Sequence, residues 1–220
     1  MVRLGVVALL LATGVSGCSS AGGEAGGEQT DGEYGVLVEA CDLVDTATVA
    51  VLARGLAKTV SRQGQRSGRQ LSDRVDMTTC HLQFGGSDSL PIAPFDEFAP
   101  DTPGTPARRH VVVTAMRHHA VDGQSGTELA RHWLTSDPQE RVPDITALGL
   151  DDGDITQQPN GEESYTRIRA VDANLTLEIE YSGANIGAKP AGMPSDEGRE
   201  GALRLLTDAA ARRPCPISDC

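Results

Sequence analysis

Residues 163–183, ESYTRIRAVDANLTLEIEYSG, carry the pattern that decides the fold. In the second half Leu175, Leu177, Ile179 and Tyr181 alternate with Thr176, Glu178 and Glu180. A period of two places the apolar set on one face of a strand. The change of pattern at Asp172–Asn174 marks a tight turn, so 163–172 and 174–183 are expected as two paired strands. An apolar face on a sheet needs a layer to pack against, and the flanking sequence offers helices. Ser195 caps DEGREGALRLLTDAAARR (196–213), in which Leu203, Leu206 and Ala210 fall on one side. Upstream, SGTELARHWL (125–134) opens with a capping box at Ser125 and Glu128. Leu129, Ala130, Trp133 and Leu134 then form a stripe, which predicts a helix over 126–135.

Further toward the N-terminus, HVVVTAMRHH (110–119) reads as a central strand. MTTCHLQF (77–84) reads as a strand with Cys80, Leu82 and Phe84 pointing inward. A helix is expected over 46–58, capped at Asp45 or Thr46, with Ala47, Ala50, Val51 and Ala53 at helical spacing. SRQGQRSGRQLSDR (61–74) carries Arg62, Arg66, Arg69 and Arg74 among Gly, Ser and Gln and is expected as a solvated loop, and VPDITALGLDDGD (142–154) as a turn-rich link. The stretch 85–109 holds five prolines and is expected to be irregular. Its apolar members Ile92, Phe95 and Phe98 make 85–108 a candidate contact loop. The expected order is helix, strand, strand, helix, strand, strand, helix. That is a single α+β domain over 36–220, an antiparallel sheet covered by helices.

The first residues say where such a domain works. Met1-Val2-Arg3 precedes an apolar run through Ala12, too short for a bilayer-spanning helix of about 20 residues, in the manner of an export leader. Val15-Ser16-Gly17-Cys18 resembles the bacterial lipobox. That resemblance implies removal of 1–17 and acyl chains on Cys18. Each buried methylene contributes about 0.8 kcal/mol, so two or three chains hold the protein at the outer face of the cell membrane. Residues 18–35, with SSAGGEAGGEQTDGE (19–33) following Cys18, are expected as a Gly/Glu-rich flexible tether with a root-mean-square reach of roughly 20–25 Å. The formal charge is −12, and losing Arg3 with the leader makes it −13. Such a surface disfavours nucleic acid or an anionic lipid surface as the main partner.

The lipobox, the tether, CDLVDTATVAVL (41–52), CHLQF (80–84) and the acidic turn ALGLDDGD (147–154) occur together, followed by two strands and an amphipathic helix. In this combination the chain resembles the actinobacterial cell-envelope lipoproteins grouped as domain of unknown function 3558. The resemblance implies the fold class, the envelope location and a Cys41–Cys80 bridge; it brings no catalytic residues. Cys41, Cys80, Cys215 and Cys220 allow three pairings. With Cys41–Cys80 taken, Cys215–Cys220 is expected as a small second ring; the first bridge is expected to be needed for folding and the second to be nearly dispensable.

No catalytic or cofactor signature emerges. His118 and His119 are adjacent and so point to opposite faces of a strand, while His110 and His118 lie roughly 27 Å apart along one. A metal-dependent enzyme or hydrolase built from His118, His119 and His132 is the alternative reading, without the spacing of known zinc sites. Ser125 is explained as a helix cap rather than a nucleophile. Asp151, Asp152 and Asp154 lack the remaining ligands of a calcium loop. FGGSD (84–88) lacks the lysine and helix of a phosphate loop, and Asn174-Leu175-Thr176 matches a glycosylation pattern on an expected strand. The sequence therefore reads as a tethered module that binds an envelope protein or small-molecule ligand, with no metal and no cofactor.

Overall fold

A computed structural model describes residues 33–66, 74–85, 105–135, 140–160, 163–186 and 191–217. In chain order it contains a 3-10 turn (Ala40–Leu43), helix α1 (Thr46–Leu52), and strands β1 (Lys58–Arg66), β2 (Val75–Gly85) and β3 (Thr105–His118). Helix α2 (Gly126–Thr135), strand β4 (Glu140–Arg141) and a second 3-10 turn (Ile145–Leu148) follow. Strands β5 (Asp152–Asn160), β6 (Glu163–Asp172), β7 (Leu175–Ile186) and β8 (Ala191–Gly192) lead to helix α3 (Ser195–Arg212). The strands form one antiparallel sheet in the order β1-β2-β3-β7-β6-β5-β4, with β8 added on β7. The α+β class and the antiparallel sheet are as expected. The element order is richer.

The β6–β7 hairpin forms as its alternation demands, with Ile168 opposite Ile179 and Asp172 opposite Leu175. Ala173 closes the two-residue turn at φ 49°, a left-handed conformation that costs a non-glycine residue energy. One face of the sheet gathers Cys80, Leu82, Phe84, Val111, Val113, Ala115, Ile168, Leu177, Ile179 and Tyr181 into the core. α3, α1 and the first 3-10 turn cover this face. Helix α2 lies on the other face, where Ala130 and Leu134 pack on Val171.

Several expectations are corrected. The first helix stops at Leu52 rather than 58, because Arg54 (φ 55°) and Gly55 (φ 79°) turn left-handed and end it. The stretch read as a loop over 61–74 supplies Ser61–Arg66 to β1, whose polarity is that of an edge strand. The 142–154 link contains a 3-10 turn and the start of β5, and 105–109 belongs to β3 rather than to an irregular stretch. Glu33 and Tyr34 are buried, so the fold begins before residue 36. The leader 1–17, Cys18, most of the tether, Cys220 and the loop residues Ile92, Phe95 and Phe98 lie outside the described residues.

Helix α3 buries Gly198, Gly201, Ala202, Leu205, Leu206, Ala209 and Ala210; of the expected face Leu206 and Ala210 are buried and Leu203 packs partly buried against the core. Small residues let the helix sit close. A Cβ at position 201 would lie 2.5 Å from both Cδ1 and Cε1 of Tyr181. The ring cannot retreat easily, since its hydroxyl donates to the Leu52 carbonyl at 2.9 Å. We expect Gly201→Ala to lower stability by about 1–2 kcal/mol, although alanine gains about 1 kcal/mol in helix propensity. Urea denaturation decides it: a variant more stable than wild type would show that the close approach is not tight.

Candidate functional site

The strand register builds a patterned surface on the outer face, beyond the edge of α2. One row runs Arg62, His81, Val112, Glu180, Arg167 and Thr156 across β1, β2, β3, β7, β6 and β5. The next row, from β2 to β5, is Gln83, His110, Ser182, Tyr165 and Gln158. Nearly every position holds a planar polar side chain or a hydroxyl, because alternation sends the apolar partners inward. The rings of His81 and His110 stack with centroids 6.0 Å apart. Burial, and secondarily the neighbouring His81, holds the His110 imidazole below the usual histidine range. The Arg167 guanidinium sits 5.4 Å from the Tyr165 ring centroid and pairs with Glu180 at 3.4 Å and Glu178 at 3.8 Å. Burial pushes the Glu178 carboxyl up from its ordinary value.

This surface offers donors, acceptors, an aromatic ring and both charges within two adjacent rows. Its chemistry suits recognition. Among the described residues, no group of three or more His, Cys, Asp or Glu side chains is placed to hold a metal ion. No helix among them is long and apolar enough to cross a membrane.

No family model, no curated protein and no solved structure matches this chain.

The residues singled out from the sequence take other places. His118 is buried beside α2, its Nε2 2.9 Å from the Thr176 hydroxyl and its ring tilted against Trp133. His119 turns the opposite way and meets Asp76 at 2.8 Å. His132 lies on the exposed side of α2. Ser125 and Glu128 form both arms of the capping box, with the Ser125 amide donating to Glu128 and the Glu128 amide to Ser125 Oγ. The three aspartates diverge to three arginines: Asp151 to Arg131, Asp152 to Arg141, and buried Asp154 to Arg169. The acidic cluster thus sits at the start of β5, with Asp151 and Asp152 in solvent-accessible ion pairs and only Asp154 buried. Cys41 and Cys80 are bridged, and Cys215 is exposed.

Asn174, in the sequence Asn174-Leu175-Thr176, is buried with its side chain taken up by hydrogen bonds. Its amide donates to the carbonyls of Tyr34 and His118, and its Oδ1 accepts the Tyr34 amide at 2.6 Å. Glu33 accepts the Thr127 amide at 3.1 Å, in the first turn of α2, where a carboxylate complements the helix dipole. The Tyr34 hydroxyl donates to Asp172, which also accepts from Arg213 Nε at 2.7 Å. Burial and that carboxylate raise the Tyr34 hydroxyl well above the usual tyrosine range. Sequence reading missed this cluster. Tyr34, the first aromatic after a long stretch without one, was the available signal.

His118 gives the domain an acid-sensitive element. Burial, with His119 adding to it, lowers its pKa from 6.5 to about 4. The unfolded chain therefore takes up this proton at higher pH than the folded one. The stabilisation is fully present above about pH 6.5 and is lost as pH falls through about 4, amounting to roughly 3 kcal/mol. We expect His118→Gln to show a correspondingly shallower loss of stability between pH 6.5 and 4, measured by urea midpoints. Parallel curves for the two proteins would refute this role.

Proposed function

We propose that this chain is a lipid-anchored lipoprotein of the cell envelope, of the domain of unknown function 3558 kind, acting as a non-catalytic binding module. The observation that carries the reading is the outer sheet face, where two adjacent rows of polar side chains lie beyond α2. Burying a hydrophobic core needs only the opposite face, so this patterned one is available for recognition. The lipobox-like Val15–Cys18 supplies the anchor, and the Cys41–Cys80 bridge suits an oxidising compartment.

Two readouts on intact cells test it. Metabolic labelling with a fatty acid should mark wild type and not Cys18→Ser. A photo-crosslinking phenylalanine derivative at Val112, central on the outer face, should give one defined adduct that the same residue at Glu200 on α3 does not. Absence of label overturns the anchor, and identical adduct patterns at the two positions overturn the binding face.

A further inference from the structure

We infer that the end of the domain at the β6–β7 turn faces the membrane, with Val36 and Ile217 in contact with the lipid surface; this rests on the lipid anchor proposed above. The chain enters and leaves the fold at this one end. Tyr34 is fastened to Asn174 in the turn, Arg117 donates to the Gly35 carbonyl, and the Ile217 amide donates to the Glu33 carbonyl at 3.1 Å. The opposite end, where β2 finishes and β3 starts, is a full strand away. At 3.3 Å per residue the fourteen residues of β3 span roughly 45 Å. Fourteen residues lie between Cys18 and Glu33, a length for which their Gly-rich composition leads us to expect a reach of roughly 20 Å. The anchor thus joins the domain at the near end, a strand length of roughly 45 Å from the far one.

The surface at that end fits the assignment. Val36 is 70% exposed and Ile217 49%, on segments joined by the Ile217–Glu33 hydrogen bond. Two apolar side chains bind a bilayer weakly when free, but a short tether makes the encounter intramolecular and raises the effective concentration. Three ion pairs lie at this end, Arg213 with Asp172, Arg117 with Asp76 and Arg74 with Asp122. Val51, 56% exposed on α1, is the internal control, because the carbonyl of neighbouring Leu52 accepts from Tyr181, well along β7 from the turn.

The full acylated protein, in a Trp133→Phe background, carries Val36→Trp, Ile217→Trp or Val51→Trp and is bound to phosphatidylcholine vesicles containing brominated lipid. Tryptophan at 36 and at 217 should be quenched at least about twofold, and tryptophan at 51 hardly at all. Intact mass on the same samples reports the acyl chains. Acylated, vesicle-bound protein with equal quenching at all three positions, or with none, overturns the orientation while leaving the anchor standing. Protein without acyl chains that stays off the vesicles overturns both.

Discussion

Arg109→Ala will melt about 10 °C below wild type, the consequence of leaving Glu197 without its buried partner at a cost of about 3–5 kcal/mol. Arg109 stands on the core face of β3 and is fully buried. All five of its N–H groups are used. Nε and Nη2 donate to Glu197 at 3.1 and 2.8 Å, Nη2 also to Asn185 Oδ1, and Nη1 to the carbonyls of Arg108 and Ala184. Glu197 lies in the first turn of α3, so the guanidinium ties that helix to two strands at once. Room for it is made by Gly183, where a Cβ would sit 2.7 Å from Arg109 Cδ. Arg109→Lys should rescue little, since an ammonium has three donors and no planar fork. Arg109→Met with Glu197→Leu should recover most of the loss, because apolar groups of similar size leave no charge stranded. A single Arg109→Ala variant melting within about 2 °C of wild type would show the cluster to be incidental.

That arginine also illustrates what could be read before the fold was known. Where one face is buried and the other wetter, alternation is a direct record of packing, and β2 and most of β6 follow it, while in β7 the outer-face residues Thr176 and Ser182 are buried as well. The start of α2 was legible too, since its capping box is a local hydrogen-bonding pattern. Edge strands leave a fainter trace. β1 carries Arg62, Gln63 and Gly64 because one side of it has no strand to pair with, and the same composition serves a loop. Arg109 next to Arg108 looks like surface charge. Its burial depends on Glu197 and Asn185, more than 70 residues away, and no local pattern encodes that. The outer face stayed hidden for a related reason. His81, His110, Tyr165 and Arg167 share a surface only through the register of β2, β3, β7 and β6.

Removing the Cys41–Cys80 bridge should cost about 4 kcal/mol, the chain-entropy value for a loop of about forty residues. The bridge joins the first 3-10 turn to the core face of β2, where Cys80 is buried. The segment it holds crosses the sheet with few regular hydrogen bonds of its own. Ala40 donates to Thr78 Oγ1 at 3.1 Å, and that hydroxyl donates in turn to the Val38 carbonyl at 2.7 Å. Tyr34, Ala40 and Leu43 are buried along the same segment, so its docking completes the core rather than decorating it. Without the covalent link this docking must be sustained by side-chain contacts alone, and the segment becomes the first part of the domain to open. We therefore expect Cys41→Ala/Cys80→Ala to melt about 10 °C lower. Amide exchange should rise first over residues 34–44, while the β6–β7 hairpin stays protected. The double variant keeps thiol chemistry out of the comparison, and Thr78→Val in the intact protein separates loss of the hydroxyl bridge from loss of the disulfide. An unchanged melting temperature, or exchange that rises uniformly across the sheet, would mean that the bridge records the oxidising compartment without stabilising the fold.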